Sequence, residues 1–463
     1  MSARLKRDAL AAVVAAALAG CAVGPDYARP EVELPKDLAP AQSSAAIAER
    51  WWSLFGDPVL DALVEEALTA NRDLAAAAQR IEQVRAQFVI TRSGQFPAVG
   101  IDGSASRDRY SEMSAFPPPA GSAESETYRL VLRASWELDF WGKYRRATEA
   151  ARADLAASEA GRDAIRASLV SEVARGYFNL RAIDASLEVA RRTLEGRRTA
   201  LEMQRVRLEA GVISELELRQ VESDVAGAEA LVPVLERSRT AQEGALALLA
   251  GRSPRAVFEA RIDRGRPATP ASVEVPAGLP SDLLLRRPDL REAEERLKAA
   301  NARIGVARSA YFPSITLTGF YGGESQSLSD LFTGPARTWS FAAGLLQPLY
   351  GAGQIAAGVD FADARAREAA IAYQQAIANA FREVRDAIGA QSTTREALRA
   401  QQAREKVLAR TLELAHLRYD GGTVSLFDVL ETERQLLLVR LEAIAAERGR
   451  RDAIVDLYVA LGG

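Results

Sequence analysis

The chain repeats itself. Arg92-Ser93 … Phe96-Pro97 returns 216 positions later as Arg308-Ser309 … Phe312-Pro313. At the same offset Leu68 meets Leu284, Asp73-Leu74 meets Asp289-Leu290 and Ala86 meets Ala302. The offset then drifts to 209, where Gly142 meets Gly351, and to 211, where Gly211-Val212-Ile213-Ser214 meets Gly422-Thr423-Val424-Ser425. Leu248-Leu249-Ala250-Gly251 closes one copy and Val459-Ala460-Leu461-Gly462 the other. Small offset changes with order preserved are the trace of duplication followed by loop insertions and deletions. Chance similarity between two alanine-rich stretches is the alternative, but it does not explain why proline and glycine match as well. Two copies of one unit are therefore expected, repeat 1 over residues 57–251 and repeat 2 over 280–463, joined by a Pro- and Arg-rich linker at 252–279.

Within each copy the hydrophobic period changes. After Phe96 the pattern alternates, and from Tyr128 to Phe140 it gives an unbroken apolar face (Tyr128, Leu130, Leu132, Ala134, Trp136, Leu138, Phe140) set against Arg129, Arg133, Ser135, Glu137 and Asp139. Period two with aromatics toward the ends predicts strands with one face to lipid and one to water, at about 97–109, 127–140, 313–325 and 337–349. Pro117-Pro118-Pro119 and Gly121, and in the second copy Gly334-Pro335, mark the intervening loops. Four strands leave two open edges, and each unpaired amide in hydrocarbon costs several kcal/mol. Because the smallest single-chain barrels have about eight strands, the chain must oligomerise; two copies supply eight and three supply twelve. Two amphipathic hairpins lying on a soluble core remain the competing reading, although Arg129 and Arg133 opposite so long an apolar face fit it poorly.

Between these strands and the end of each copy run very long helices. No proline occurs from Lys143 to Glu209, and Val173, Leu180, Leu187, Leu194, Leu201 and Leu208 recur every seventh residue, a coiled-coil seam. The intervening Gly176, Ala190, Arg197 and Gln204 are small or polar and suit a wall of helices around water better than a tight rod. Gln354 to Tyr419 is the counterpart. Gly211 and Gly422 stop these helices, and Ser214 with Glu217, and Ser425 with Asp428, read as capping boxes opening the returning helices. Pro233 is expected to kink the first of these.

The N-terminus adds an address. Arg4, Lys6 and Arg7 precede the short apolar run Ala9–Ala19 and then Leu18-Ala19-Gly20-Cys21, so residues 1–20 read as a secretory signal too short to span a bilayer. Its end resembles a bacterial lipobox, which implies a lipid on Cys21, the chain's one cysteine, and a lipid-anchored segment at 21–56. An ordinary signal peptide with an incidental cysteine is the alternative. Removal of residues 1–20 takes the formal net charge from −3 to −5. The near balance of charges implies neither nucleic acid nor an acidic surface as partner. His416 is the lone histidine and reads as a solvated helix residue. With no nucleotide-binding glycine loop and no outstanding carboxylate pair, nothing points to an enzyme, a metal or any cofactor beyond the lipid.

Several motifs in order carry a resemblance over essentially the whole mature chain: Cys21-Ala22-Val23-Gly24-Pro25-Asp26-Tyr27 … Pro30, Trp51-Trp52 … Phe55-Gly56-Asp57-Pro58 … Leu60, Arg286-Arg287-Pro288-Asp289-Leu290, and Arg418-Tyr419 … Gly422 … Ser425 … Asp428-Val429-Leu430. The sequence resembles the outer-membrane factor family, the TolC- and OprM-like exit ducts of Gram-negative efflux pumps, and within it the NodT-type lipoproteins. The resemblance implies a mainly α fold with membrane β, a homotrimer whose four strands per chain complete a twelve-stranded β-barrel continued by a long periplasmic α-helical barrel. It also implies a periplasmic gate closed at rest by Asp428 and Glu431, with Tyr419 tying the closed helices. Adaptor-docking turns would lie at Gly211, Ser214, Gly422 and Ser425. Implied partners are outer-membrane lipid, a periplasmic adaptor and an inner-membrane pump of the resistance-nodulation-division type. Val424 stands where some members carry an arginine, so a different locking network is expected. A lipoprotein scaffold without a pore, and a TolC-like duct for protein secretion, are the alternative functions.

Overall fold

A computed structural model describes residues 22–33, 50–264 and 286–463. Cys21, the signal segment and most of the linker lie outside the described residues. The halves match in length as well as sequence. Helices α1 (Pro58–Ala70) and α2 (Arg72–Ser93) lead into β1 (Ala98–Arg109) and β2 (Glu124–Glu137), then α3 (Lys143–Glu209) and α4 (Glu215–Leu249). After the short α5 (Pro254–Glu259) come α6 (Pro288–Ser309), β3 (Ser314–Ser325), β4 (Arg337–Leu346), α7 (Gln354–Asp420) and α8 (Leu426–Ala460). The helices α2 and α6 have 22 residues each, α3 and α7 have 67 each, and α4 and α8 have 35 each. Pro233 lies inside α4 without ending it.

The described residues form two compact units. The first gathers the segment up to Val32, Arg80–Glu159 and Glu292–Tyr373. Its sheet is antiparallel in the order β1-β2-β3-β4. The register lines up Ile101, Leu132, Tyr321 and Trp339 in one row and Val99, Ala134, Gly319 and Phe341 in another on the same face. Ile101, Leu132, Tyr321 and Trp339 are 77, 52, 56 and 71% exposed, an apolar stripe that water would not tolerate across four strands. On the opposite face Arg129 lies beside Glu324 at 3.6 Å and Arg133 beside Asp102 at 3.6 Å. Charge inward and aromatics outward is the pattern of a lipid-facing wall.

Two strands, β2 and β4, differ from expectation by more than a single residue. β2 begins three residues earlier and stops at Glu137, because Glu124 and Glu126 are drawn into the ladder opposite Arg107 and Arg109. Beyond Glu137, Leu138 still donates to Ile315 O at 2.8 Å, but Trp141 turns away and stacks on Phe312 at 4.7 Å. β4 stops at Leu346 rather than 349, two residues before Pro348, which has no amide to extend the ladder.

Also in this unit, residues 22–30 are strapped along α6. Val23 N donates to Trp141 O (3.0 Å), Asn301 to Pro25 O (3.0 Å), and Arg146 to Asp26 (2.7 Å). Arg29 forms a two-pronged pair with buried Glu294, which also accepts from the Tyr27 hydroxyl at 3.1 Å. Burial and this carboxylate push the Tyr27 phenol well above its usual range.

The second unit comprises Glu33–Gln79, Ala160–Arg291 and Gln374–Gly463. Its core is built on Trp51, Trp52 and Phe55, a 3-10 turn whose aromatic side chains are buried against Val173, Tyr177, Leu180, Leu246 and Val455. Trp51 stacks on Tyr458 at 5.4 Å, and Phe55 lies 4.7 Å from Phe178. Asp57 accepts from Val59 N and Leu60 N to cap α1 and also from the Tyr177 hydroxyl at 2.8 Å. Burial, then the Asp57 hydrogen bond, pushes the Tyr177 phenol up to about 12. Arg287 donates to Ala460 O and pairs with Asp289 and Glu383. The Trp-Trp … Gly-Asp-Pro and Arg-Arg-Pro-Asp motifs are therefore packing keystones of this unit.

The seam residues Val173, Leu180, Leu187 and Leu201 are buried, and Leu194 and Leu208 partly so. The positions between them are packed as well. Ala190, Arg197 and Gln204 are buried, and Gly176 lies under Leu246 with its carbonyl accepting from Gln242 at 3.1 Å. Small and polar residues there let α4 approach α3 closely.

Candidate gate at the helix turns

Both long helices end in the same way. Past α3, Gly211 takes φ +69°, with Gly211 N bonded to Leu208 O and Val212 N to Arg207 O. Past α7, Gly422 takes φ +70°, with Gly422 N bonded to Tyr419 O and Thr423 N to Arg418 O. This paired bonding across a left-handed residue satisfies the last helical carbonyls, and glycine adopts it without a Cβ penalty. Both capping boxes form. Ser214 Oγ accepts from Glu217 N (3.3 Å) while the Glu217 carboxylate accepts from Ser214 N (2.7 Å). Ser425 Oγ accepts from Asp428 N (3.4 Å) while Asp428 accepts from Ser425 N (3.0 Å) and from Ser425 Oγ (2.7 Å).

An apolar cluster of Leu201, Leu218, Val221, Val225, Leu426 and Leu430 brings the two turns together, with Ile213 and Tyr419 at its margin. Tyr419 sits beside α3: the Arg207 guanidinium donates to its hydroxyl at 3.3 Å and lies 5.6 Å from its ring centre. This contact crosses from repeat 2 to repeat 1. Asp428 is exposed, and one of its oxygens, Oδ2, carries the cap. The Ser425 side-chain hydrogen bond, then its backbone amide, with Arg418 nearby, hold its carboxyl below the usual range. Glu431, one turn on, is half-exposed, accepts from Gln435 at 3.0 Å and lies 3.4 Å from Arg434. Both carboxylates lie in the first two turns of α8, where the helix dipole favours negative charge.

Sequence reasoning missed a group one to three turns deeper: Arg197 on α3, Asp224 on α4, and Glu433 and Arg434 on α8, joined by His416 on α7. Arginine at a seam-adjacent position was the available signal.

Among the described residues no helix is long and apolar enough to cross a membrane. The family model of outer membrane efflux proteins matches residues 63–252 and again 279–463, one match for each half. The Escherichia coli K12 cation efflux system protein CusC is 33% identical over 456 residues, covering 97% of this chain and 98% of CusC. The toluene efflux pump outer membrane protein TtgC of Pseudomonas putida is 35% identical over 460 residues, covering 98% of this chain and 94% of TtgC. The crystal structure of the Campylobacter jejuni CmeC outer membrane channel superposes with a TM-score of 0.91 at 28% identity, covering 96% of this chain and 95% of CmeC. The open state of the Neisseria gonorrhoeae MtrE outer membrane channel gives 0.82 at 33% identity, covering 96% of this chain and 98% of MtrE. The chain belongs to the outer membrane efflux protein family. It is an outer-membrane efflux channel, mainly helical, in which each chain contributes four strands to the twelve-stranded barrel of a trimer.

Proposed function

We propose that the trimer is the passive exit duct of a tripartite efflux system for small toxic solutes. An inner-membrane pump of the resistance-nodulation-division type supplies the energy, and a periplasmic adaptor docks on the turns at Gly211, Ser214, Gly422 and Ser425. Asp428 and Glu431 ring the closed mouth, and three-fold repetition brings like carboxylates together, which favours cations at rest. Cys21 carries the lipid anchor, and the chain performs no catalysis and needs no other cofactor. One observation carries this reading: an exposed apolar stripe crosses a four-stranded sheet whose edges β1 and β4 have no neighbouring strand among the described residues. Only partner strands and lipid together satisfy both the edge amides and the stripe.

Purified protein reconstituted into planar bilayers should conduct ions as a trimer. A protein without conductance would leave the scaffold function instead, and co-purification with a protein-exporting pump would favour the secretion duct. The intact mass should exceed that of the polypeptide from Cys21 onward by a diacylglyceryl and an acyl group. Cys21→Ser should lack this increment, and an unmodified wild-type thiol would refute the anchor.

A further inference from the structure

Two large apolar side chains lie uncovered at the end of the sheet remote from the helices. The β1–β2 loop, residues 110–123, is closed at its base by Tyr110 N, which donates to Ala123 O at 2.8 Å. Within it Ser122 N bonds to Pro119 O at 3.0 Å, Met113 N bonds to Ser111 Oγ at 3.2 Å, and Gly121 takes φ +88°. Loops closed in this way ordinarily pack their own side chains inside. This one presents them: Met113 is 96% and Phe116 94% exposed. The β3–β4 loop buries Leu331 and Ala336 and leaves Phe332 exposed.

Hydrocarbon is not what covers the first loop. Arg107 and Arg109 share the face of Ile101, and Glu126 and Glu124 opposite them share the face of Leu132. Arg107 pairs with Glu124 at 2.7 Å and Arg109 with Glu124 at 3.5 Å, so the lipid-facing wall turns charged before the loop begins. Charge on that wall is tolerated near the interface and costly at the middle of the bilayer. At a tilt of about 40°, β1 climbs roughly 20 Å along the membrane normal from Val99 to Arg107, most of the apolar band of about 25 Å. Met113 and Phe116 therefore stand beyond the hydrocarbon, at the cell surface. The barrel axis is within their reach. Twelve strands about 4.8 Å apart at that tilt enclose a radius of roughly 12 Å, whereas half of the loop, about seven residues, spans up to about 23 Å. With reach to spare, a contact on the axis depends on apolar tips and not on the exact length of the loop.

We propose that Met113 and Phe116 of the three copies meet on the barrel axis and form an apolar outer seal, in series with the mouth at the helix turns. Each exposed tip is covered by the same tip of the other two copies, an extension of the strand-to-strand interface that closes the barrel. Apolar constrictions gate by dewetting, so water and ions leave the neck while a solute with apolar surface can part the tips. Pro117-Pro118-Pro119 stiffens the limb behind Phe116 at about 3.1 Å per residue, which keeps the tip from folding back onto its own strands.

The inference rests on the duct reading, so contact and conductance are read separately. Phe116→Cys trimers treated with a short bismaleimide should give covalent dimers, and the wild type none, since its one cysteine, Cys21, carries the lipid. Met113→Ser with Phe116→Ser, placed in the Asp428→Asn, Glu431→Gln channel, should raise open-state occupancy in planar bilayers about tenfold, equivalent to about 1.4 kcal/mol. Trimeric elution of each variant checks that the barrel has formed. Covalent dimers in a protein that never conducts would refute the duct and uphold the contact between tips. Absence of covalent dimers would overturn the proposal, and quenching of Phe116→Trp by brominated lipid would do so by assigning the tips to the bilayer. Dimers joined to an unchanged occupancy would overturn it as well, by revealing a contact that does not gate.

Discussion

Gly251 and Gly462 occupy the same place in the two halves, just past the last turns of α4 and α8, and both are left-handed, with φ of +70° and +89°. Their surroundings differ. A Cβ on Gly251 would stand 2.0 Å from Ala70 O, 2.3 Å from Ala70 C and 2.9 Å from Asn71 N, all backbone. On Gly462 the nearest atom would be Arg287 Cγ at 3.2 Å. At Gly211 and Gly422 no atom of the described residues lies within 4 Å. Alanine at these two turns should cost only the left-handed conformation, about 1–2 kcal/mol, less a few tenths regained by stiffening the unfolded chain. Gly462→Ala should fall between, since Arg287, held by Ala460 O, Asp289 and Glu383, need shift only a few tenths of an ångström. Gly251→Ala must push apart the end of α4 and the α1–α2 corner, which Asn71 already fastens by donating to Leu249 O at 2.8 Å. Overpacking of that kind adds about 1–3 kcal/mol, for a total of roughly 2–5 kcal/mol. Urea unfolding of the four variants, followed by helical circular dichroism, reads the series directly, and the equivalent site in the other half serves as the internal control. If Gly251→Ala unfolds within about 0.5 kcal/mol of Gly422→Ala, the close packing of that corner is wrong.

At the mouth, Asp428→Asn with Glu431→Gln keeps an acceptor for the Ser425 cap while deleting charge, so single-channel conductance should rise and block by multivalent cations should weaken. Unchanged conductance would remove both residues from the gate. Because the Asp428 carboxyl is held below its ordinary 3.8, its cap stabilises α8 fully above that range and is lost as pH falls through the lower folded value. Amide exchange in the first turn of α8 should therefore quicken only in strong acid, and fraying that began near pH 6 would contradict the assignment.

Much of this was legible because the relevant signals are local. Glycine at 211 and 422, serine three residues on and an acid three further specify turn and cap without long-range help. Period-two alternation located the strands for the same reason. It overshot at Leu138 and Phe140 because alternation continues past the point where Trp141 leaves the ladder for Phe312. It missed Glu124 and Glu126 because their partners, Arg107 and Arg109, sit on another strand. That Arg197 and Gln204 are buried was not legible, because residue polarity does not say which helix packs alongside. Arg197 meets the Asp224 carbonyl of α4, which joins α3 only after the chain has reversed at Gly211. The roles of Trp51, Asp57 and Arg287 were likewise invisible in isolation, since each depends on a residue more than a hundred positions away: Tyr458, Tyr177 and Ala460.

The matched lengths of α3 with α7 and α4 with α8 bear on how such a chain can change. One residue added within a long helix rotates everything beyond it by about 100° and advances it about 1.5 Å, carrying the tip out of step with its twin. Tolerated drift in this lineage should therefore accumulate as substitutions along the rods, with length variation kept to the connections between elements, above all those between β1 and β2 and between β3 and β4. Those two connections are accordingly the places to graft an epitope or a reporter.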